Sequence, residues 1–277
     1  MAKAKKKSKA KATSSKPYSK PLATNTKSRS SLQKPTNAAK PLPPPKSPFS
    51  PAHRILLVGE GDFSFSNSLL NAHGCVHLVA TSYDKVSALR SKYPQSVSHI
   101  AALEAEESCI VLYGVDATKL GKSGVAEGGG GGKEVKKGGF DRVVFNFPHV
   151  GGLTKDVNRQ VRHNQELLVG FFKAALPLLA PSGWIILTIF DGEPYELWNV
   201  RDLARHVGLE VERSFKFQAS AYPGYQHART LGTVEGRGAW KGEDRPARTY
   251  IFGVKDEGTR EAPRSRKKSE DSDSDNK

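Results

Sequence analysis

Four consecutive apolar residues, Ile55-Leu56-Leu57-Val58, run without a break into Gly59-Glu60-Gly61, and a helical pattern starts at Phe65. A run this short and this apolar reads as a strand buried on both faces, the mark of a parallel sheet covered by helices. The alternation then repeats. Val76 to Thr81 reads as a second strand, Cys109 to Tyr113 as a third, Val143 to Phe145 as a fourth and Trp184 to Phe190 as a fifth. Helical spacing fills the intervals, over Phe65 to Ala72, around Val86 and Leu89, and near Ile100 to Leu103. A long helix is expected where Val157, Val161, Leu168, Phe172 and Leu176 recur, ending near Pro181-Ser182-Gly183. Leu197, Val200, Leu203 and Ala204 mark another helix, and Val211 to Phe217 with Tyr250 to Val254 read as a closing pair of strands. The pattern predicts an α/β fold over residues 51–255, a doubly wound and mostly parallel sheet with a closing antiparallel strand.

The two ends differ in kind from this body. Residues 1–50 hold 13 basic residues and no acidic one, rich in Lys, Ser, Ala and Pro, whereas residues 51–255 hold 24 basic and 21 acidic. A basic arm without apolar surface is expected to be disordered and to meet a polyanion, most simply nucleic acid, with the Lys3 to Lys11 cluster as an address or RNA-binding segment. Residues 256–277 follow Arg264-Ser265-Arg266-Lys267-Lys268 with alternating Ser and acids and read as a second disordered tail. Residues 121–139 carry nine glycines, which predicts a surface insert rather than an element of the sheet.

Several classes are excluded on expectation. Cys75 and Cys109 cannot form a disulfide framework and have no companion at metal-ligand spacing, so they read as buried structural thiols and no metal is expected. The first residues lack the apolar core of a secretory signal, and the most apolar stretch, Phe171 to Phe190, is interrupted by Lys173, Pro177 and Pro181, so no membrane span is expected. Nothing demands a second copy of the chain, and a monomer is expected.

In an open parallel sheet, ligands bind beyond the carboxyl ends of the strands. After the first strand comes Gly59-Glu60-Gly61-Asp62-Phe63-Ser64. The glycines permit a tight turn and close approach of a ligand, while Glu60 and Asp62 would repel a pyrophosphate. Asp84 after the second strand is placed to accept both hydroxyls of a ribose, and Asp116-Ala117 after the third to take an adenine. Either acid alone reads equally as a helix cap. Together, in this order, they point to a nucleoside carried on a cationic group, of which S-adenosyl-L-methionine is the common example. After the fourth strand, Asn146-Phe147-Pro148-His149 resembles the Asn/Asp-Pro-Pro-aromatic motif of enzymes that methylate planar nitrogens. There an amide and a backbone carbonyl, stiffened by proline, align the target nitrogen.

These residues, with Val150-Gly151-Gly152, Asn164-Gln165-Glu166-Leu167-Leu168 and Tyr222-Pro223-Gly224-Tyr225, resemble the 25S rRNA (uridine-N(3))-methyltransferase family over about residues 54–254. The resemblance implies a Rossmann-like methyltransferase fold, S-adenosyl-L-methionine as donor, large-subunit rRNA or a pre-ribosomal particle as substrate, and work in the nucleolus. Leu57 stands where many such folds carry an acid, so Glu60 or Asp62 is left to anchor the methionine end. Uracil N3 must lose its imide proton for methyl transfer, and His149 is the nearest candidate base, with stacking on the target as its other role. Tyr222, Tyr225, His227 and Arg229, with Arg237, Trp240 and Lys241 further on, form a mix of aromatics and cations suited to an extruded base and its phosphates, or a solvated hairpin. The rival readings are a methyltransferase acting on tRNA or a ribosomal protein, and a non-catalytic RNA-binding ribosome-assembly factor.

Overall fold

A computed structural model of the chain describes residues 47–122, 139–230, 232 and 242–255. The arm up to residue 46, most of the glycine-rich insert, Arg237, Trp240, Lys241 and the C-terminal tail lie outside the described residues. Among the described residues seven strands form one sheet: β1 (Ile55–Val58), β2 (Leu78–Thr81), β3 (Ile110–Leu112), β4 (Phe140–Asn146), β5 (Leu179–Phe190), β6 (Leu209–Lys216) and β7 (Ala247–Val254). Their order is β3-β2-β1-β4-β5-β7-β6. The pairs from β3 through β5 are parallel, and β7 runs antiparallel to both β5 and β6. This is the doubly wound sheet with a closing antiparallel strand that the alternation predicts.

The α-helices among the described residues are α1 (Ser64–His73), α2 (Val86–Lys92), α3 (Ser96–Glu104), α4 (Val157–Ala175) and α5 (Val200–His206). They separate into two layers because successive strand residues face opposite ways. Leu56, Val58, Val143, Phe145, Ile185 and Leu187 pack with α4 and α5, around Leu168, Phe171, Phe172 and Ala204. Ile55, Leu57, Val144 and Ile186 pack with α1, α2 and α3, around Leu69, Leu89, Ile100 and Leu103. The chain winds from β1 outward to β3 on one side and returns to β4 on the other. The crevice where the winding reverses therefore opens beyond the carboxyl ends of β1 and β4.

Some expectations need correction. The long helix stops at Ala175, since Pro177 lacks the amide that would continue it, and a single 3-10 turn leads into β5 at Leu179. The β4–β5 register then jumps from Phe140/Leu179 to Arg142/Trp184, and Gly183 fits beneath Phe140 only because a Cβ there would lie 2.7 Å from the Phe140 carbonyl oxygen. Val157 starts the helical stripe but is 59% exposed and takes no part in the buried face of α4, which begins at Val161. Cys75 is buried as expected, while Cys109 is only partly buried at the start of β3 and donates to the Val76 carbonyl. Residues 47–50, assigned with the arm on sequence, belong to the body: Phe49 packs edge-on against Phe65 and Tyr222, and the Pro48 carbonyl accepts from Arg142.

This layering makes the apolar stripe of α4 testable. Leu168→Ala is expected to cost about 2–5 kcal/mol in chemical denaturation, as a cavity opens against β4 and β5. Val157→Ala on the same stripe is expected to stay within about 0.5 kcal/mol of the parent.

Candidate active site

Beyond β1 the chain turns at Gly59, whose φ of 69° and tight fit against the Phe145 ring both call for glycine. The next two acids are taken up by the start of α1. The Ser66 amide and hydroxyl both donate to the Glu60 carboxylate, and the Ser64 amide donates to Asp62 Oδ1 at 3.0 Å. Gln95 Nε2 donates to Asp62 Oδ2, leaving Asp62 3% exposed. Phe63, in a left-handed conformation, occupies the cap position of α1 with no side-chain cap bond of its own, so Glu60 and Asp62 do that work from one turn away. Burial, with help from the Asp62 charge, pushes the Glu60 carboxyl up to about 7 against the opposing pull of the Ser66 hydrogen bonds.

The acids after β2 and β3 have different partners. Both oxygens of Asp84 accept from Lys92 Nζ, at 2.7 and 2.9 Å, so its carboxylate is oriented by an ammonium from α2 and caps no helix. Asp116 is the cap of the 3-10 turn at Ala117–Lys122: its Oδ1 accepts from the Thr118 amide and hydroxyl, and Lys119 pairs with Oδ2 at 3.0 Å. Burial raises its carboxyl, but the Thr118 hydrogen bonds and Lys119 outweigh it and hold the group below its usual range.

The motif after β4 is rigid. Phe147 adopts a left-handed φ of 51°, donates its amide to the Thr188 carbonyl at 2.7 Å and packs against Phe190, Phe217 and His227. Pro148 is buried. Asn146 Nδ2 is buried and has no hydrogen-bond partner. The Gly151 amide donates to His149 Nδ1 at 2.8 Å, which leaves the imidazole proton on Nε2, and burial lowers the tendency of this ring to take a second proton. His149 Nδ1 is thus engaged as an acceptor, and the ring is left with Nε2 as its free nitrogen in the cavity lining. Two polar residues inside α4 hold the following loop: Asn164 accepts from the Val150 amide at 3.1 Å, and Gln160 Nε2 donates to the Gly151 carbonyl at 2.6 Å.

The segment from Tyr222 to Thr230 is not a solvated hairpin. Tyr222 is 6% exposed, stacked on Phe217 and packed against Phe65 and His73, so it cannot receive an RNA base. From there the chain lies across the turn after β1. Ser64 Oγ both donates to the Gln226 carbonyl and accepts from the Gln226 amide, and a Cβ on Gly61 would meet Ala228 at 2.8 Å. Tyr93 donates to the Arg229 carbonyl. The Tyr225 hydroxyl lies 3.1 Å from His227 Nδ1. Burial, abetted by Arg245 and Arg229 and opposed by Asp62, brings His227 down to about 4 and keeps it neutral.

One cavity of about 840 Å³ unites these groups. Gly59 to Phe63, Asp84, Asp116, Ala117, Asn146 to His149, Tyr225 and His227 all line it; Tyr222 and Arg229 do not. Residues 56–229 match the family model described as rRNA (uridine-N3-)-methyltransferase BTM5-like. The chain belongs to this family. It is 33% identical over 272 residues to the 25S rRNA (uridine(2634)-N(3))-methyltransferase of Saccharomyces cerevisiae, covering 82% of this chain and 80% of that one. It is 31% identical to the mouse ferredoxin-fold anticodon-binding domain-containing protein 1 homolog, covering 72% of this chain and 30% of that protein. Among solved structures, TrmN from Thermus thermophilus superposes at a TM-score of 0.43 with 17% identity, covering 74% of this chain and 45% of that one.

Membership of a methyltransferase family gives the cavity its chemical class. Among the described residues no cluster of His, Cys, Asp or Glu could hold a metal, and no helix is long and apolar enough to cross a membrane. The supporting residues Lys92, Tyr93 and Gln160 escaped sequence reading, because each lies on or beside a helix outside the strand-end motifs and is brought to its partner only by the fold.

Glu60 carries a pH signature. With a folded value near 7 against an ordinary 4.5, charging the buried carboxyl opposes folding, without cost below about pH 4.5 and by up to about 3 kcal/mol above pH 7. Glu60→Gln keeps an acceptor for Ser66 and removes the charge. Its stability relative to the parent, from urea melts, is expected to grow as pH rises from 5 to 8; a constant offset would show that Glu60 is not forced to ionise in the core.

Proposed function

We propose that this chain transfers a methyl group from S-adenosyl-L-methionine to N3 of a uridine in large-subunit (25S-type) rRNA during ribosome biogenesis, in the nucleolus. The observation that carries the reading is Asn146 Nδ2, a buried donor without an acceptor in the cavity that also holds Asp84. A buried amide donor left unpaired is costly, and an incoming carbonyl oxygen relieves that cost. Uracil presents such an oxygen on either side of N3.

The residues present fit the cofactor. Asp84 retains acceptor capacity beside Lys92 for two ribose hydroxyls. Asp116 and Ala117 border the adenine end, and Gly59 and Gly61 leave the backbone open to close approach. Glu60 is the acid for the methionine ammonium, since both oxygens of Asp62 are already engaged within the protein. When bound, the cofactor supplies an electrophilic methyl group. The chain aligns the uracil edge through Asn146 and the rigid Phe147-Pro148 backbone, and His149 Nε2 donates to a base oxygen. Both donors favour the imidate that forms as the N3 proton leaves. Tyr225 and His227 wall the base, and Arg229 lies towards the RNA backbone.

The test is single-turnover methyl transfer to in vitro transcribed large-subunit rRNA, with the product nucleoside identified by mass spectrometry. Asp84→Ala is expected to weaken cofactor binding by about 2–4 kcal/mol in calorimetry. Asn146→Ala is expected to slow transfer by about 10²-fold while leaving cofactor affinity nearly unchanged. His149→Ala is expected to show a loss that high pH does not specifically restore. Cofactor binding without any N3-methyluridine would favour another substrate, and no cofactor binding would favour a non-catalytic assembly factor.

A further inference from the structure

Arg245 lies just before β7, at the same end of the sheet as the cavity. Its guanidinium carbon sits 4.3 Å from the centre of the Phe190 ring and 5.6 Å from that of Tyr195. Phe190 in turn packs 4.6 Å from Phe147, the residue after Asn146, and 5.2 Å from His227. A single ring thus connects Arg245 to both walls of the target side. The described residues place no carboxylate in ion-pair range of Arg245 and no acceptor on its side chain. The nearby Glu243 carboxylate is engaged by the His227 amide. Arg248, in β7 shortly after, is differently employed, facing Asp191 at 3.7 Å.

A guanidinium flattened on aromatic rings loses rotamer freedom while its N–H edges stay available, and those edges match the oxygens of a phosphate in bidentate fashion. We infer that Arg245 is an RNA-phosphate site at the rim of the active cavity, gripping the backbone of the target uridine so that the base enters the cavity beside the packed pair Phe147 and His227. The inference rests on the rRNA-methyltransferase reading above and adds a residue that fixes where the strand lies. An anionic protein surface has less claim on this position, because the same ring system lines the wall against which a planar base is proposed to pack.

The test uses the full chain, in vitro transcribed large-subunit rRNA, and the variants Arg245→Gln and Arg245→Lys. Arg245→Gln is expected to raise KM for RNA by about tenfold, to lower kcat by much less, and to reduce the slope of log affinity against log salt by about one. Arg245→Lys is expected to restore the salt slope and only part of the affinity, since an ammonium keeps the charge but not the fork. Cofactor affinity should be unchanged in both. An unaltered salt slope in Arg245→Gln, or a loss confined to melting temperature and kcat, would overturn the phosphate site and leave Arg245 as a packing residue. If the parent protein itself forms no N3-methyluridine, the failure lies with the proposed function instead.

Discussion

Two carboxylates one residue apart in a buried turn repel each other and lose hydration, so the turn after β1 exists only because its surroundings compensate it. The N-terminus of α1 is that compensation. Its Ser64 and Ser66 amides, which have no partner within the helix, meet Asp62 and Glu60. The arrangement decides what the crevice can bind. A helix start is a ready anion site, and in dinucleotide-binding sheets it takes the pyrophosphate. Here the chain's own carboxylates fill that place, with Glu60 bordering the cavity. A ligand carrying phosphate at this point is repelled, and one carrying a positive charge is welcomed.

The same turn supports the opposite wall. Gln226 binds Ser64 through both its amide and its carbonyl, and Ala228 fits against Gly61, where a Cβ would intrude. Tyr93, which packs in the α1–α3 layer, holds the Arg229 carbonyl. The segment proposed to meet the target base is therefore mounted on the segment proposed to meet the cofactor. Relative placement of the two reacting groups then depends on a few short contacts within one rigid layer, which is the condition for alignment to contribute strongly to rate.

Strand and helix alternation is local, and Ile55–Val58, the helical stripe about Val161 and Leu168, and the strand-end acids could all be read from spacing. What could not be read is which polar group each side chain is turned towards. Asp116 and Asp84 look alike as acids after strands, yet one caps a turn through Thr118 and the other is held by Lys92 from the next helix. Tyr222 and Tyr225 share one Tyr-Pro-Gly-Tyr motif, but only the second reaches the cavity: Tyr222 stacks on the Phe217 ring, whereas Tyr225 meets Phe65 and Phe217 edge-on. The role of His149 turned on a single backbone amide, that of Gly151, whose direction is set by Gln160 and Asn164 in α4. Spacing reports which residues share a face; it is silent on which lone pair is already spoken for.

That distinction bears on how an imide nitrogen can be methylated without a base of its own. Deprotonating uracil N3 spreads negative charge onto the two flanking oxygens, so donors aimed at those oxygens raise its acidity. A hydrogen bond to a charged acceptor contributes about 1.5–3 kcal/mol, and one unit of acidity corresponds to about 1.4 kcal/mol. In the proposed reading, Asn146 Nδ2 and His149 Nε2 each gain only the difference between a charged and a neutral acceptor, about 1 kcal/mol, and together would lower the N3 value by about one to two units. A shift of that size raises the fraction of reactive anion near neutrality, with water as the proton acceptor. Protonation of His149 would add charge but is disfavoured by burial and by the Gly151 amide that donates to its Nδ1. Neutral donors fixed in place before the substrate arrives need no reorganisation as the charge develops.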